Sequence, residues 1–146
     1  MLDFEAAKRV AFERWLSAFV NEPGGPAIIQ DDQCEEFEWG WLISWGPSDP
    51  EKVAAETRRR GRLPILVDRV TSEIQLVSTA GPNIAIMKLL LRRPASCQSP
   101  DVTQEELGGL TKVTVSMMAF TPLRDLQQGS ESAGSIEVFR RTSGRS

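Results

Sequence analysis

The stretch that most constrains this chain is Phe37-Glu38-Trp39-Gly40-Trp41-Leu42-Ile43-Ser44-Trp45. Phe37, Trp39, Trp41, Ile43 and Trp45 alternate with Glu38, Gly40, Leu42 and Ser44. Side chains of a strand point to opposite faces in turn, so one unbroken strand puts all five large residues on one side. A face that apolar needs a cover, and an amphipathic helix is the natural one. The N-terminal segment supplies it. From about residue 3 to 20, Phe4, Ala7, Ala11, Trp15 and Ala18 recur at three- and four-residue steps, with Phe12, Leu16 and Phe19 widening the stripe. Asp3 suits the N-cap, and Asn21-Glu22-Pro23-Gly24-Gly25-Pro26 breaks the helix. The expected core therefore centres on Phe12, Trp15 and Phe19 from the helix and Trp39, Trp41 and Trp45 from the strand. The competing use of the tryptophans is an exposed aromatic platform for a partner.

The rest of the chain fits around this pair. Residues 27–30 read as a strand. Asp49 and Pro50 open a short polar helix that runs to about residue 60, with Gly61 as its C-cap. Residues 63–69 and 74–79, joined by Val70-Thr71-Ser72-Glu73, make an antiparallel hairpin. A helix over 82–92 is apolar on more than one side and docks between the sheet and something else. Beyond it come a helical turn over 103–107, a strand over 110–120, a short helix over 123–128 and a last strand over 135–141. The fold class is α+β: an antiparallel sheet packed against an N-terminal helix, with a second helix after the fourth strand and a C-terminal strand pair. Residues 1–92 form the α+β core, and residues 93–146 form a C-terminal extension with two strands packed on the same domain.

The residue chemistry excludes more than it suggests. The chain has 146 residues, a formal net charge of −3 and no histidine. Ser-His-Asp and Cys-His catalysis fall away, and so does the commonest zinc ligand. Cys34 and Cys97 stand far apart with no ligand spacing, and two thiols in a chain without an export signal are more often free than bridged. No metal and no cofactor are expected. There is no phosphate loop and no Gly-x-Ser-x-Gly elbow. Clustered cations are confined to Arg58-Arg59-Arg60-Gly61-Arg62, which reads as a solvated helix end, so nucleic acid is not the expected partner. No apolar run is long enough to span a bilayer, and the opening Met1-Leu2-Asp3-Phe4-Glu5 lacks the order of a signal peptide. The expected compartment is the cytoplasm.

Carboxylates are the remaining candidates. Asp31, Asp32, Glu35 and Glu36 crowd one short segment, followed by Glu38. The spacing of a calcium loop is absent. The segment reads as a solvated turn whose functional use is an acidic rim for a basic partner. Glu36, Glu38, Asp68 and Glu73 are candidates for acid–base chemistry, although Asp68-Arg69 reads better as a strand end entering a turn.

Two stretches carry a resemblance. One is Phe37-Glu38-Trp39-Gly40-Trp41 with its continuation to Trp45. The other is Gly61-Arg62-Leu63-Pro64-Ile65-Leu66-Val67-Asp68-Arg69, followed by Thr71-Ser72-Glu73-Ile74 and Ser78-Thr79-Ala80-Gly81-Pro82. Together they resemble the immunity protein 35 family, also described as YrhB-like domains. The shared pattern is a Gly-Trp strand, a Gly-x-x-Pro step into a Val-Asp-Arg strand, a Thr-Gly turn, and a Gly-Thr-x-x-Pro lead-in to a final helix. Gly40-Trp41, Gly61, Pro64, Val67-Asp68-Arg69, Thr71, Thr79 and Pro82 fall on matching positions. Ser72 and Ser78 stand where the family usually has glycine. The resemblance covers about residues 2–91. It implies a small bacterial cytoplasmic protein encoded beside a polymorphic toxin, which it binds and neutralises without enzyme activity or cofactor. Papain-like peptidase toxins are among the implied partners. On this reading Asp31, Asp32, Glu35, Glu36 and Glu38 meet the toxin. A homodimer is open, while nucleic acid and membrane are not expected partners. The alternatives are a small chaperone or adaptor that holds client proteins, and a small-molecule-binding domain with a pocket between helix and sheet.

Overall fold

The computed structural model describes residues 2–19, 27–49, 63–94, 102–127 and 134–141. The breaker at 21–26, the expected helix over 50–60 with its Gly61 cap, the basic cluster at 58–62 and Cys97 lie outside the described residues.

Helix α1 (Phe4–Arg14) opens on Asp3, whose carboxylate accepts the Ala6 amide at 2.8 Å. Ala7 and Ala11 are fully buried, and such small side chains let a helix sit close to a sheet. The helix ends sooner than its apolar stripe predicts. Trp15 leaves helical geometry, and a 3-10 turn, Leu16–Phe19, follows with Leu16 fully buried. This corrects the expected core. Phe12 and Trp15 are exposed at 39% and 36%, because the inward stripe runs through Phe4, Ala7, Ala11 and Leu16 instead. The Phe19 side chain lies outside what is described.

The tryptophan stretch is not one strand. It is divided among β2 (Glu35–Phe37), β3 (Gly40–Ile43) and β4 (Trp45–Pro47). Glu38 and Trp39 form a two-residue turn that closes on the pair Phe37↔Gly40. A hairpin of this parity puts Phe37 on the same side as Gly40 and Leu42, opposite to Trp41 and Ile43. The large residues therefore divide between two cores rather than sharing one face. Phe37 and Trp39 belong to one, whereas Trp41, Ile43 and Trp45 belong to the other. At Ser44 the chain changes sheets: β4 pairs with β1 (Ala27–Ile29), away from β3.

The central sheet has the order β2-β3-β5-β6, all antiparallel, with β5 (Ile65–Asp68) and β6 (Ile74–Leu76) forming the expected hairpin. All four residues of β5 are buried, as a strand covered on both faces requires. On one face Ile65, Val67 and Ile43 pack with Ala7, Ala11 and Leu16. On the other, Leu66, Phe37 and Trp39 pack with Ala85, Ile86, Leu89 and Leu90 of α2 (Pro82–Leu91) and with Val102, Val113 and Val115.

Those valines come from a third antiparallel sheet, β7 (Val102–Leu107), β8 (Leu110–Ser116) and β9 (Ser135–Arg141). The expected strand pair is β8 with β9. The segment expected to form a helical turn at 103–107 is instead β7. Gly108 and Gly109 adopt φ 53° and 95° between the paired Leu107 and Leu110, and such positive φ values at both turn residues are those of a tight hairpin. Between β8 and β9 lie a 3-10 turn (Met117–Phe120) and the short helix α3 (Leu123–Gln127).

Two positions test this account. A Cβ built on Gly40 would overlap the carbonyl oxygen of Val67 across the β3–β5 ladder. Gly40→Ala is expected to lower stability by about 3 kcal/mol or more, read from urea unfolding, because backbone rather than a side-chain tip must give way. Ser72 sits at φ 64°, a left-handed conformation costly for a residue with a Cβ. Ser72→Gly is expected to raise the unfolding free energy by up to about 1 kcal/mol in the same measurement.

Candidate functional site

Several of the residues that carry the resemblance, Gly40, Val67, Asp68, Arg69 and Thr71, meet at one buried junction. Asp68, at the end of β5, is fully buried. Its Oδ1 accepts the Val70 and Thr71 amides at 2.8 and 3.1 Å, the bonding of an Asx turn. The same oxygen accepts Arg93 Nη2 at 2.9 Å, and Oδ2 accepts Arg93 Nε at 2.7 Å. Arg93 is only 3% exposed, and its Nη2 also donates to the Trp39 carbonyl at 3.2 Å. One guanidinium thus ties the end of α2 to the β5 turn and to the Glu38-Trp39 turn. Fork-to-fork pairing of this kind is strong and geometrically specific. Arg93 is the functionally placed residue that sequence reasoning missed. A second arginine just past an apolar helix reads as a solvated helix end, and nothing local signals burial.

Arg69 braces the junction from the other face. Its Nη2 donates to Glu36 Oε2 at 2.6 Å and to the Phe37 carbonyl at 3.0 Å, and its guanidinium lies 5.3 Å from the Trp41 ring centre. The Arg69 amide donates to the Trp39 carbonyl, and its own carbonyl accepts the Leu2 amide, both at 2.9 Å. Trp39 itself is buried and donates its indole N–H to Ala119 at 2.7 Å. The chemistry of this cluster is that of a brace. Both oxygens of Asp68 are committed to protein donors in a site closed to solvent, and Glu36 is held by Arg69.

The acidic segment does not form one patch. Asp31 and Asp32 stand exposed on a 3-10 turn, Asp31–Gln33. Glu35 and Glu36 alternate on β2 and point to opposite faces. Glu35 reaches Arg124 of α3 at 2.9 Å, and Glu36 reaches Arg69. Glu38 is partly buried in the β2–β3 turn. Asp31 is bridged to Lys8 at 2.9 Å, and Lys8 also meets Glu5 at 3.0 Å. The hydrogen bond that Lys8 donates to Asp31, and then the one it donates to Glu5, raise its pKa above the ordinary value. Of the five acids, Asp31, Glu35 and Glu36 therefore carry ion pairs within the protomer.

Beneath the acidic turn, Cys34 is a free thiol. Its Sγ accepts the Ser44 amide at 3.3 Å and donates to the Gln30 carbonyl at 3.4 Å, and burial pushes its pKa up. These bonds hold the 3-10 turn onto the β3–β4 crossing. Asp31 and Asp32 are thereby fixed beside Lys8 on α1. Phe12 follows Lys8 by four residues on the same flank of the helix, and Trp15 follows at its cap. The exposed acids of the turn and the exposed aromatics of α1 are thus linked through Lys8, which pairs with Asp31.

Among the described residues, no group of three or more His, Cys, Asp or Glu side chains is placed to hold a metal ion. No protein-family model, curated protein or solved structure matches the chain.

The junction makes a clear demand on stability. Arg93→Met leaves the Asp68 carboxylate buried without its cation, and is expected to cost about 3–5 kcal/mol in urea unfolding. A loss below 1 kcal/mol would show that the pair is not the brace described.

Proposed function

We propose that this chain is a non-enzymatic immunity protein that binds a cognate bacterial toxin and neutralises it by covering a working surface, with papain-like peptidase toxins as the class to examine first. The observation that supports the reading is the convergence of the motif residues. Gly40, Val67, Asp68, Arg69 and Thr71 meet at one junction, where each has a physical task. This part of the resemblance thus rests on residues that act together. Ser72 adds to this, since it occupies a left-handed turn position that favours the glycine of the family pattern.

The binding surface in this proposal combines the acidic turn, with Asp31 and Asp32, and the exposed side of α1, with Phe12 and Trp15; the Asp31–Lys8 ion pair links the two. Aromatic anchors supply contact energy, while a rim of one charge sign steers encounter. Glu35 and Glu36 serve the fold instead, through Arg124 and Arg69. A cytoplasmic location belongs to the same proposal; no described helix is long and apolar enough to cross a membrane.

The test is co-expression with the product of the neighbouring reading frame, followed by kinetics on the purified complex. A tight complex and protection of the host are expected. Asp31→Lys with Asp32→Lys is expected to slow association about tenfold at low salt, and Trp15→Ala to speed dissociation about tenfold. Absence of any complex, with suppression of aggregation of unrelated unfolded proteins, would replace this reading with that of a client-holding adaptor. A complex indifferent to all three substitutions would move the interface elsewhere.

A further inference from the structure

We infer that the outer edge of β9 is a homodimer interface, on which two copies of this chain pair antiparallel about a two-fold axis at Phe139. The sheet order β7-β8-β9 leaves β9 with a neighbour on one side only among the described residues. Edge strands are kept from pairing by short length, proline, bulges or charged side chains, lysine above all. The β9 sequence Ser135-Ile136-Glu137-Val138-Phe139-Arg140-Arg141 has no proline or lysine, and its register with β8 is continuous over all seven residues.

The backbone is set for it. Met117 N–H bonds to the Gly134 carbonyl at 3.1 Å, and the rungs of an antiparallel ladder alternate between bonded and unbonded pairs. Counting along the register from that rung, Ile136, Val138 and Arg140 turn their N–H and C=O groups toward β8. Glu137, Phe139 and Arg141 turn theirs outward. These same three residues share the sheet face pointing away from the core, and all three are exposed, Phe139 at 54%.

Their order makes the edge self-complementary. With the axis at Phe139, Phe139 faces its own copy, Glu137 faces the second copy's Arg141, and Arg141 faces the second copy's Glu137. The three facing positions are all outward-bonding residues, so hydrogen bonding and charge agree on one register. Moving the axis to Val138 sets Glu137 opposite phenylalanine and Arg141 opposite Ser135, and both charge pairs are lost. Neither Glu137 nor Arg141 makes an ion pair with a described residue of its own protomer. The strand at the sheet's other edge, β7, carries Glu105 and Glu106 and no cation, so self-pairing there offers no opposite-charge pair. An isologous contact is what two-fold symmetry demands. The product is a continuous six-stranded sheet. This inference is independent of the toxin-binding surface, which lies on α1 and the Asp31–Gln33 turn.

Sedimentation of the full chain over a concentration series tests it. The wild type is expected to give a monomer–dimer equilibrium. Glu137→Arg and Arg141→Glu are each expected to weaken dimerisation about tenfold or more, since each sets like charges opposite one another at two symmetric places. The double variant E137R/R141E restores the opposite-charge pairs and is expected to recover the dimer. Both side chains are exposed, and unchanged far-UV circular dichroism establishes that the variants fold. A wild type that stays monomeric at hundreds of micromolar overturns the inference. So does a dimer indifferent to the single changes, or one that the double variant fails to restore.

Discussion

A full negative charge with no exposed surface lies at the centre of this molecule. A carboxylate taken out of water is costly unless its oxygens are answered by donors. Asp68 is answered by two backbone amides and two guanidinium nitrogens, drawn from its own turn and from the far end of α2. The arrangement sets several geometries at once. It holds the β5–β6 turn in shape, and it brings Arg93 against the Trp39 carbonyl. That contact in turn positions the β2–β3 turn against Arg69. Remove the charge, and three chain reversals lose their common point of reference.

The legible parts of the sequence were those whose signal is local. Asp3 before the Phe4 helix, Pro82 at the start of α2 and the β5–β6 hairpin all declare themselves within a few residues. The tryptophan stretch misled for a physical reason. Alternation reports which residues share a face only while a strand continues, and a two-residue turn at Glu38-Trp39 inverts the parity without leaving a turn-forming pair in the sequence. Gly40 was the clue, since its missing side chain is demanded by Val67 across the ladder. The helical reading of 103–107 failed similarly. Gly108-Gly109 is the turn of a hairpin, so the residues before it belong to a strand. Arg93 was invisible because burial of an arginine is a tertiary event. The acidic segment looked like one site because its residues are close in sequence, yet strand alternation sends Glu35 and Glu36 to different elements.

Burial of both faces of the central sheet limits where recognition can occur. Neither face of β5 is offered to solvent, because α1 covers one and α2 with β7–β8 covers the other. Surface available for contact is displaced to the perimeter: the flank of α1, the 3-10 turn beside it, and the outward side of β7–β9. This explains how a chain so rich in tryptophan can commit Trp39 wholly to its interior while leaving Trp15 at the surface. It also separates the tasks of neighbouring residues. Arg69 and Glu36 hold the frame, whereas the Asp31 carboxylate, paired with Lys8, stands outside it.

The indole of Trp39 bonds to a carbonyl 80 positions later in the chain. Ribosomes add residues in order, at roughly 5–20 per second, so this donor waits several seconds for its acceptor to be made. Throughout that interval Phe37, Trp39 and Leu66 have no β7 or β8 to lie against. The nascent polypeptide therefore presents its stickiest side before the strands that shield it exist. Survival during synthesis, as much as the stability of the finished molecule, is a pressure under which this arrangement of sheets has to succeed.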